Sequence, residues 1–197
     1  MGSPPVGRDI VVVGASAGGV EALSELVRGF PPDLDASVFV VLHLPAGGTS
    51  MLPKILERAG HLPAAHPRDG ARIEHGRIYV APPDAHLALR PGKVCLPLGP
   101  IQNGHRPAID SLFRSAAEAY GPRVIGVLLT GTLDDGTHGL RSVKRHGGVA
   151  LVQDPKQALY PGMPQSAIEN VRVDQVLPLA ELASAITSLV PSRNAVT

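Results

Sequence analysis

Asp9-Ile-Val-Val-Val-Gly-Ala-Ser-Ala-Gly-Gly19, running on into Val20-Glu-Ala-Leu-Ser-Glu-Leu-Val27, decides the fold. Ile10 to Val13 is an unbroken β-branched run, the pattern of a parallel strand buried on both faces rather than the alternation of a strand with one wet face. Gly14 to Gly19 interrupts it. Val20, Leu23, Val27 and Phe30 then recur near the 3.6-residue period of an amphipathic helix, which Pro31-Pro32 stops. A second buried strand, Ser37-Val-Phe-Val-Val-Leu42, ends at His43 and Pro45. Strand, glycine loop, helix and strand make a βαβ unit.

The same alternation continues outward. Ser50 to Ala59 reads as a short helix and Ala71 to Val80, with Ile73 and Ile78, as strand. His86-Leu-Ala-Leu89 and Val94-Cys-Leu96, joined by Arg90-Pro-Gly-Lys93, read as an antiparallel hairpin. Ile109, Leu112, Phe113, Ala116, Ala117 and Tyr120 share one helical face behind Pro107. Val124 to Leu129 is a buried strand, followed by a helix from after Asp135-Gly136 to about His146. Val149 to Val152 is a further strand, Met163 to Asn170 a short helix, and Leu179 to Val190 the last helix. The expected fold is α/β: a doubly wound, mainly parallel sheet with helices on both faces and an antiparallel hairpin. One domain is expected over residues 9–191, with flexible termini at 1–8 and 192–197.

Composition narrows the function. In 197 residues, 18 Lys and Arg stand against 17 Asp and Glu, and no basic run is present, which argues against a nucleic-acid partner. Cys95, the single cysteine, cannot form an internal disulfide, which suits a reducing cytoplasm. No apolar run approaches the length of a membrane span, so a cytoplasmic protein without membrane insertion is expected. The eight histidines are scattered, with neither H-E-x-x-H nor a Cys/His cluster, so neither a metal nor another cofactor is expected.

Ligands of open α/β sheets bind outside the carboxyl ends of the strands, at a topological switch point. Three strands reach that edge with chemically capable residues: Ser16 after the first, His43 after the second, and Asp134 and Asp135 after Val124 to Leu129. Gly14-Ala-Ser16-Ala-Gly18 has the G-x-S-x-G pattern of a nucleophile on a sharp strand-to-helix turn. A phosphate-binding loop is the other reading. Ser16, however, stands where a dinucleotide loop needs its second glycine, and the lysine of a P-loop is absent. A histidine such as His43 is the base an alcohol nucleophile needs at neutral pH. Asp135-Gly136 fits either an acid orienting that base or merely a turn or helix N-cap. Backbone N–H groups at Ala17, and in the loop from Thr130 to Leu133, are candidate oxyanion donors.

In order along the chain stand Val13-Gly-Ala-Ser-Ala-Gly-Gly19, Leu42-His-Leu-Pro45, Ile78-Tyr-Val-Ala-Pro82, His86, His105-Arg-Pro-Ala-Ile-Asp-Ser-Leu-Phe113, Leu129-Thr-Gly-Thr-Leu-Asp-Asp-Gly136 and Pro161-Gly-Met-Pro164. From Ile10 to about Val190 this pattern resembles the catalytic domain of CheB, the chemotaxis receptor protein-glutamate methylesterase. The resemblance implies hydrolysis of γ-glutamyl methyl esters on methyl-accepting chemotaxis receptors with release of methanol, and in some members deamidation of receptor glutamines. It puts the nucleophile on Ser16, the base on His43, the acid on Asp135, oxyanion donors on the backbone of Ala17 and Thr132, and a substrate-bordering residue at Met163. Ala17 stands where the family often has Thr, and Thr132-Leu133 where it often has Met-Gly. Those changes leave backbone donors in place and bear on substrate fit. A non-catalytic receptor-binding module of the same fold is the alternative.

The family's response-regulator form carries a receiver domain ahead of the esterase. Eight residues precede the first strand here, so control in cis is not expected. The expectation is a stand-alone esterase, freely accessible or served by a separate receiver-domain regulator, or else a piece of a longer protein.

Overall fold

The structure, a computed structural model, describes residues 7–43, 47 and 49–191. Seven strands form one parallel sheet in the order β3-β4-β2-β1-β7-β8-β9. They are β1 (Ile10–Ala15), β2 (Ser37–Leu42), β3 (Ala64–Ala65), β4 (Arg77–Val80), β7 (Val124–Leu128), β8 (Val149–Gln153) and β9 (Gln175–Leu177). β5 (Ala88–Arg90) and β6 (Lys93–Cys95) make the separate antiparallel hairpin. The helices are α1 (Gly19–Arg28), α2 (Leu52–Ala59), α3 (Ile109–Tyr120), α4 (Thr137–Arg145), α5 (Gly162–Asn170) and α6 (Leu179–Leu189).

The β-branched strands do what their lack of alternation predicts. Val11, Val13 and Ala15 pack with Leu23 of α1, Leu56 of α2 and Ile186 of α6 on one face of the sheet. Ile10 and Val12 pack with Phe113 of α3, Leu140 of α4 and Ala167 of α5 on the other. Each central strand is therefore buried on both sides, and the doubly wound α/β fold is as expected.

From β1 the chain works outward through β2 to β4, then returns through the hairpin and α3 to pair β7 with the other side of β1. The switch point lies between β1 and β7, and the loops after both strands open there.

Some elements differ from expectation. Over 71–80 only Arg77–Val80 is strand, and Arg72 makes an isolated bridge to Lys93. The hairpin begins at Ala88 rather than His86, whose buried imidazole is engaged by Ala108 N–H at Nδ1 (3.2 Å) and by the Pro100 carbonyl at Nε2 (2.9 Å). β3 and β9, two and three residues long, add sheet edges that no hydrophobic period announces. Pro45 of the second quoted block, and the end segments 1–6 and 192–197 expected to be flexible, lie outside the described residues.

Candidate active site

Ser16 and His43 are neighbours by strand register. Ala15 of β1 pairs with Leu42 of β2, and His43 N–H donates to the Ala15 carbonyl (3.2 Å), so the next residue of each strand emerges side by side at the carboxyl edge. Parity aims both the same way. With odd-numbered β1 residues and even-numbered β2 residues turned to the α1 face, Ser16 and His43 fall on the α3 face. Ser16 N–H donates to Thr130 O (3.0 Å) and Ser16 O accepts from Gly19 N–H (2.8 Å), which pins the turn between β7 and the start of α1. Gly131 must be glycine: a Cβ there would lie 2.8 Å from Ser16 Cβ and press on Met163 Sδ.

His43 Nε2 lies 2.7 Å from Asp135 Oδ2, with side chains 6% and 2% exposed. Asp135 is heavily engaged. Its Oδ2 also accepts from Ile109 N–H (2.7 Å), and its Oδ1 accepts from Asp110 N–H (3.1 Å), Gly136 N–H (3.0 Å) and Asn103 Nδ2 (3.1 Å). Burial opposes ionisation, but the hydrogen bonds from His43, Ile109 and Asn103, with the charge of His43, outweigh it and hold the carboxyl below its ordinary value. An ionised carboxylate only accepts, so a neutral His43 bonded to it carries its proton on Nε2 and its lone pair on Nδ1. Nδ1 is buried without a hydrogen-bond partner among the described residues. Ser16 Oγ makes no hydrogen bond among them either.

The His105 ring lies flat on that of His43, centroids 3.4 Å apart and planes 7° from parallel. Burial, then the charge of His43, lowers the His105 pKa, with Asp135 pulling the other way. His105 thus favours its neutral form.

The remaining expected site residues fall around Ser16. Among the described residues neither Ala17 N–H nor Thr132 N–H donates to a protein acceptor. Thr130 Oγ1 faces the Ala17 carbonyl (3.1 Å) and accepts from Tyr160 N–H (2.9 Å). Gly131 N–H donates to Tyr160 O (2.9 Å) and Met163 N–H to Gly131 O (2.9 Å), stitching the loop after β7 to the start of α5. Met163 is wholly buried, its Sδ packed where a Cβ on Gly131 would stand. Leu133 is 71% exposed at a left-handed φ of 64°, and Leu159, 72% exposed, lies over Gly18. Tyr160, next along the chain from Leu159, is exposed as well.

The sequence model of the CheB methylesterase family matches residues 11–186. The chain belongs to the CheB methylesterase family. A Methanosarcina mazei protein named protein-glutamate methylesterase/protein-glutamine glutaminase is 36% identical over 191 residues, covering 93% of this chain and 52% of that protein. A Leptospira interrogans relative is 38% identical over 176 residues, covering 89% of this chain and 91% of the relative. The chain thus spans about half the length of the first and nearly all of the second. The crystal structure of the Thermotoga maritima CheB methylesterase catalytic domain superposes with a TM-score of 0.88 at 36% identity, covering 94% of this chain and all of that one. Among the described residues, no helix is long and apolar enough to cross a membrane.

Within this CheB-family site, sequence reasoning about chemistry passed over three residues. Asn103, His105 and Asp110 contact the His43–Asp135 pair directly. The Asn-Gly dipeptide at 103–104 was the available signal, because it favours a tight turn with two left-handed residues.

Proposed function

We propose that residues 9–191 form one catalytic domain, a serine esterase that removes methyl groups from γ-glutamyl methyl esters of methyl-accepting chemotaxis receptors. His43 Nδ1 takes the proton of the Ser16 hydroxyl as Oγ attacks the ester carbonyl. Asp135, bonded to Nε2, stabilises the imidazolium. The tetrahedral oxyanion is held by the free N–H groups of Ala17 and Thr132, each such donor being worth on the order of 100-fold or more in rate. Collapse expels methoxide, which takes the proton from His43 and leaves as methanol. Water, activated by the same imidazole, then cleaves the acyl-enzyme and returns a glutamate carboxylate. The same steps on a receptor glutamine would release ammonia instead, giving deamidation. Met163 serves this chemistry through Gly131, and Leu133, Leu159 and Tyr160 meet the apolar side of the receptor helix that presents the ester.

The observation that carries this reading is the 2.7 Å His43–Asp135 bond, which leaves Nδ1, without a partner among the described residues, beside the register position of Ser16. The test is methanol release from a premethylated receptor cytoplasmic fragment, comparing the chain with Ser16→Ala. Turnover should fall by roughly 10⁴-fold or more. An undiminished rate in Ser16→Ala would overturn the assignment, and a folded wild-type chain without turnover would favour the non-catalytic binding module.

A further inference from the structure

Asp135 grips His43 at one atom, Nε2, and a single hydrogen bond does not fix the ring: the χ2 torsion of histidine is soft, and rotation about the Nε2–Asp135 line swings Nδ1 away from Ser16. Something must hold the plane. We propose that His105 is a positioning residue for the base, its ring clamping the face of His43 so that Nδ1 stays aimed at the Ser16 hydroxyl. The proposal rests on the reading of His43 as the base.

The turn that carries His105 is built for that placement. Gln102 and His105 exchange both backbone hydrogen bonds (3.0 and 2.8 Å), with Asn103 at φ 49° and Gly104 at φ 77° between them, the two left-handed residues of a tight I′-type turn. From this turn Asn103 Nδ2 donates to Asp110 Oδ2 (2.8 Å) and Asp135 Oδ1 (3.1 Å), so the turn is fastened to the carboxylate that orients His43. The turn bearing the clamp is therefore tied directly to the acid. The turn uses only the backbone of His105, and its ring contributes the parallel stack at 3.4 Å.

Chemistry favours a neutral ring in that position. When His43 takes the serine proton it becomes an imidazolium, and a charged neighbour at this distance would repel it. Burial disfavours protonation of His105, so a π face is presented to the cation, an attractive arrangement. The clamp thus fixes the ring before proton transfer and does not oppose the charge that transfer creates.

The test compares wild type, His105→Ala and His105→Phe, the last keeping an aromatic face without ring nitrogens. Turnover is measured on p-nitrophenyl acetate, so that an unsuitable receptor fragment does not enter, and thermal melts establish that each variant is folded. In His105→Ala, kcat should fall by about 10- to 100-fold, the scale of a misplacement near 1 Å, with KM little changed. His105→Phe should recover most of the loss. Independently of turnover, ¹⁵N-imidazole NMR of the resting protein should show a slowly exchanging His43 Nε2 proton in wild type and His105→Phe, and faster exchange in His105→Ala. Equal exchange in all three variants overturns the proposal, as does a His105→Phe variant as slow in turnover as His105→Ala. If wild type turns over no ester, the functional reading fails while the NMR comparison still decides the clamp.

Discussion

Asp110 and Asp135 each cap the helix that the other introduces. Asp135 stands just before α4, yet its carboxylate accepts from Ile109 and Asp110, the first two N–H groups of α3. Asp110, in the first turn of α3, accepts at Oδ1 from Gly136 N–H and Gly139 N–H at the start of α4. Neither helix has a side-chain cap from its own N-cap residue, Ala108 or Gly136. The carboxylate bonded to His43 is thereby held between two helix N-termini, whose partial positive charge favours its ionised form. Fold and site share these atoms.

Replacing Asp135 should consequently damage both. In Asp135→Asn one oxygen survives, and whichever way the amide turns, its NH₂ meets donors: Ile109 N–H and His43 on one side, or Asp110, Gly136 and Asn103 on the other. With the amide toward His43 the imidazole must accept at Nε2, which moves its proton to Nδ1 and removes the base. Expected losses are about 10³- to 10⁴-fold in kcat, as for other triads whose histidine takes the wrong tautomer. Stability should fall by about 1–3 kcal/mol, the cost of unsatisfied buried donors. Ester turnover and urea unfolding of the same samples check both numbers, and full activity in Asp135→Asn would exclude the assigned role.

The two aspartates should also show opposite pH linkage. Burial, partly offset by Gly139 N–H and reinforced by the charge of Asp135, raises the Asp110 pKa above its ordinary 3.8. A carboxyl with a raised folded pKa contributes stability that is complete below the unfolded value and lost as pH climbs through the folded one. Asp135, with its lowered pKa, contributes stability present above 3.8 and lost as pH falls through the folded value. As pH rises from about 4, then, wild type should lose stability relative to Asp110→Asn, whereas its lead over Asp135→Asn should shrink as pH falls below 3.8. Urea midpoints at stepped pH measure both differences, and parallel curves would contradict the opposed shifts.

How much of this was legible in the sequence depends on the range of the forces involved. The buried parallel strands were readable from β-branched runs such as Ile10–Val13, because burial on both faces leaves no other composition. Ser16 and His43 could be brought together since each ends a strand. What Asp135 does was ambiguous: its N–H partners Ile109 and Asp110 lie more than 20 positions away, and local spacing offers α4 as the natural helix to cap. β3 escaped notice between Pro63 and Pro67 because two residues carry no period. The His105 stack was invisible for the same reason, being a contact between a turn and a strand end.

Gly136 is a position where the Asp-Gly pair has no substitute. Its φ is 97°, and a Cβ would stand 2.5 Å from Leu128 Cδ1 and 2.9 Å from Ile109 Cγ2. Gly136→Ala should cost about 1–2 kcal/mol in backbone strain and a further ~1–3 in overpacking. Because Ile109 N–H is one of the donors to Asp135, activity should drop along with the melting temperature. A variant that melts like wild type would show that the α3–α4 junction has slack which the structure does not display.

Leu133 offers the converse case, strain without burial. Its left-handed backbone at φ 64° costs an L-residue roughly 1–2 kcal/mol, and its side chain is 71% exposed, so packing within the domain returns little. Leu133→Gly relieves that strain but adds about 0.5–1 kcal/mol of unfolded-chain entropy, so stability should stay within about 1 kcal/mol of wild type. If the side chain meets the receptor helix, partial loss of its contact is worth on the order of 1 kcal/mol, or about fivefold in KM. The loss should fall on KM for the methylated receptor fragment rather than on kcat, because Thr132 and Leu133 keep their backbone path when glycine occupies a left-handed position. Steady-state kinetics separate the two. A lower kcat at unchanged KM would mean that Leu133 shapes the oxyanion loop, and unchanged kinetics in a folded variant would remove it from the substrate surface.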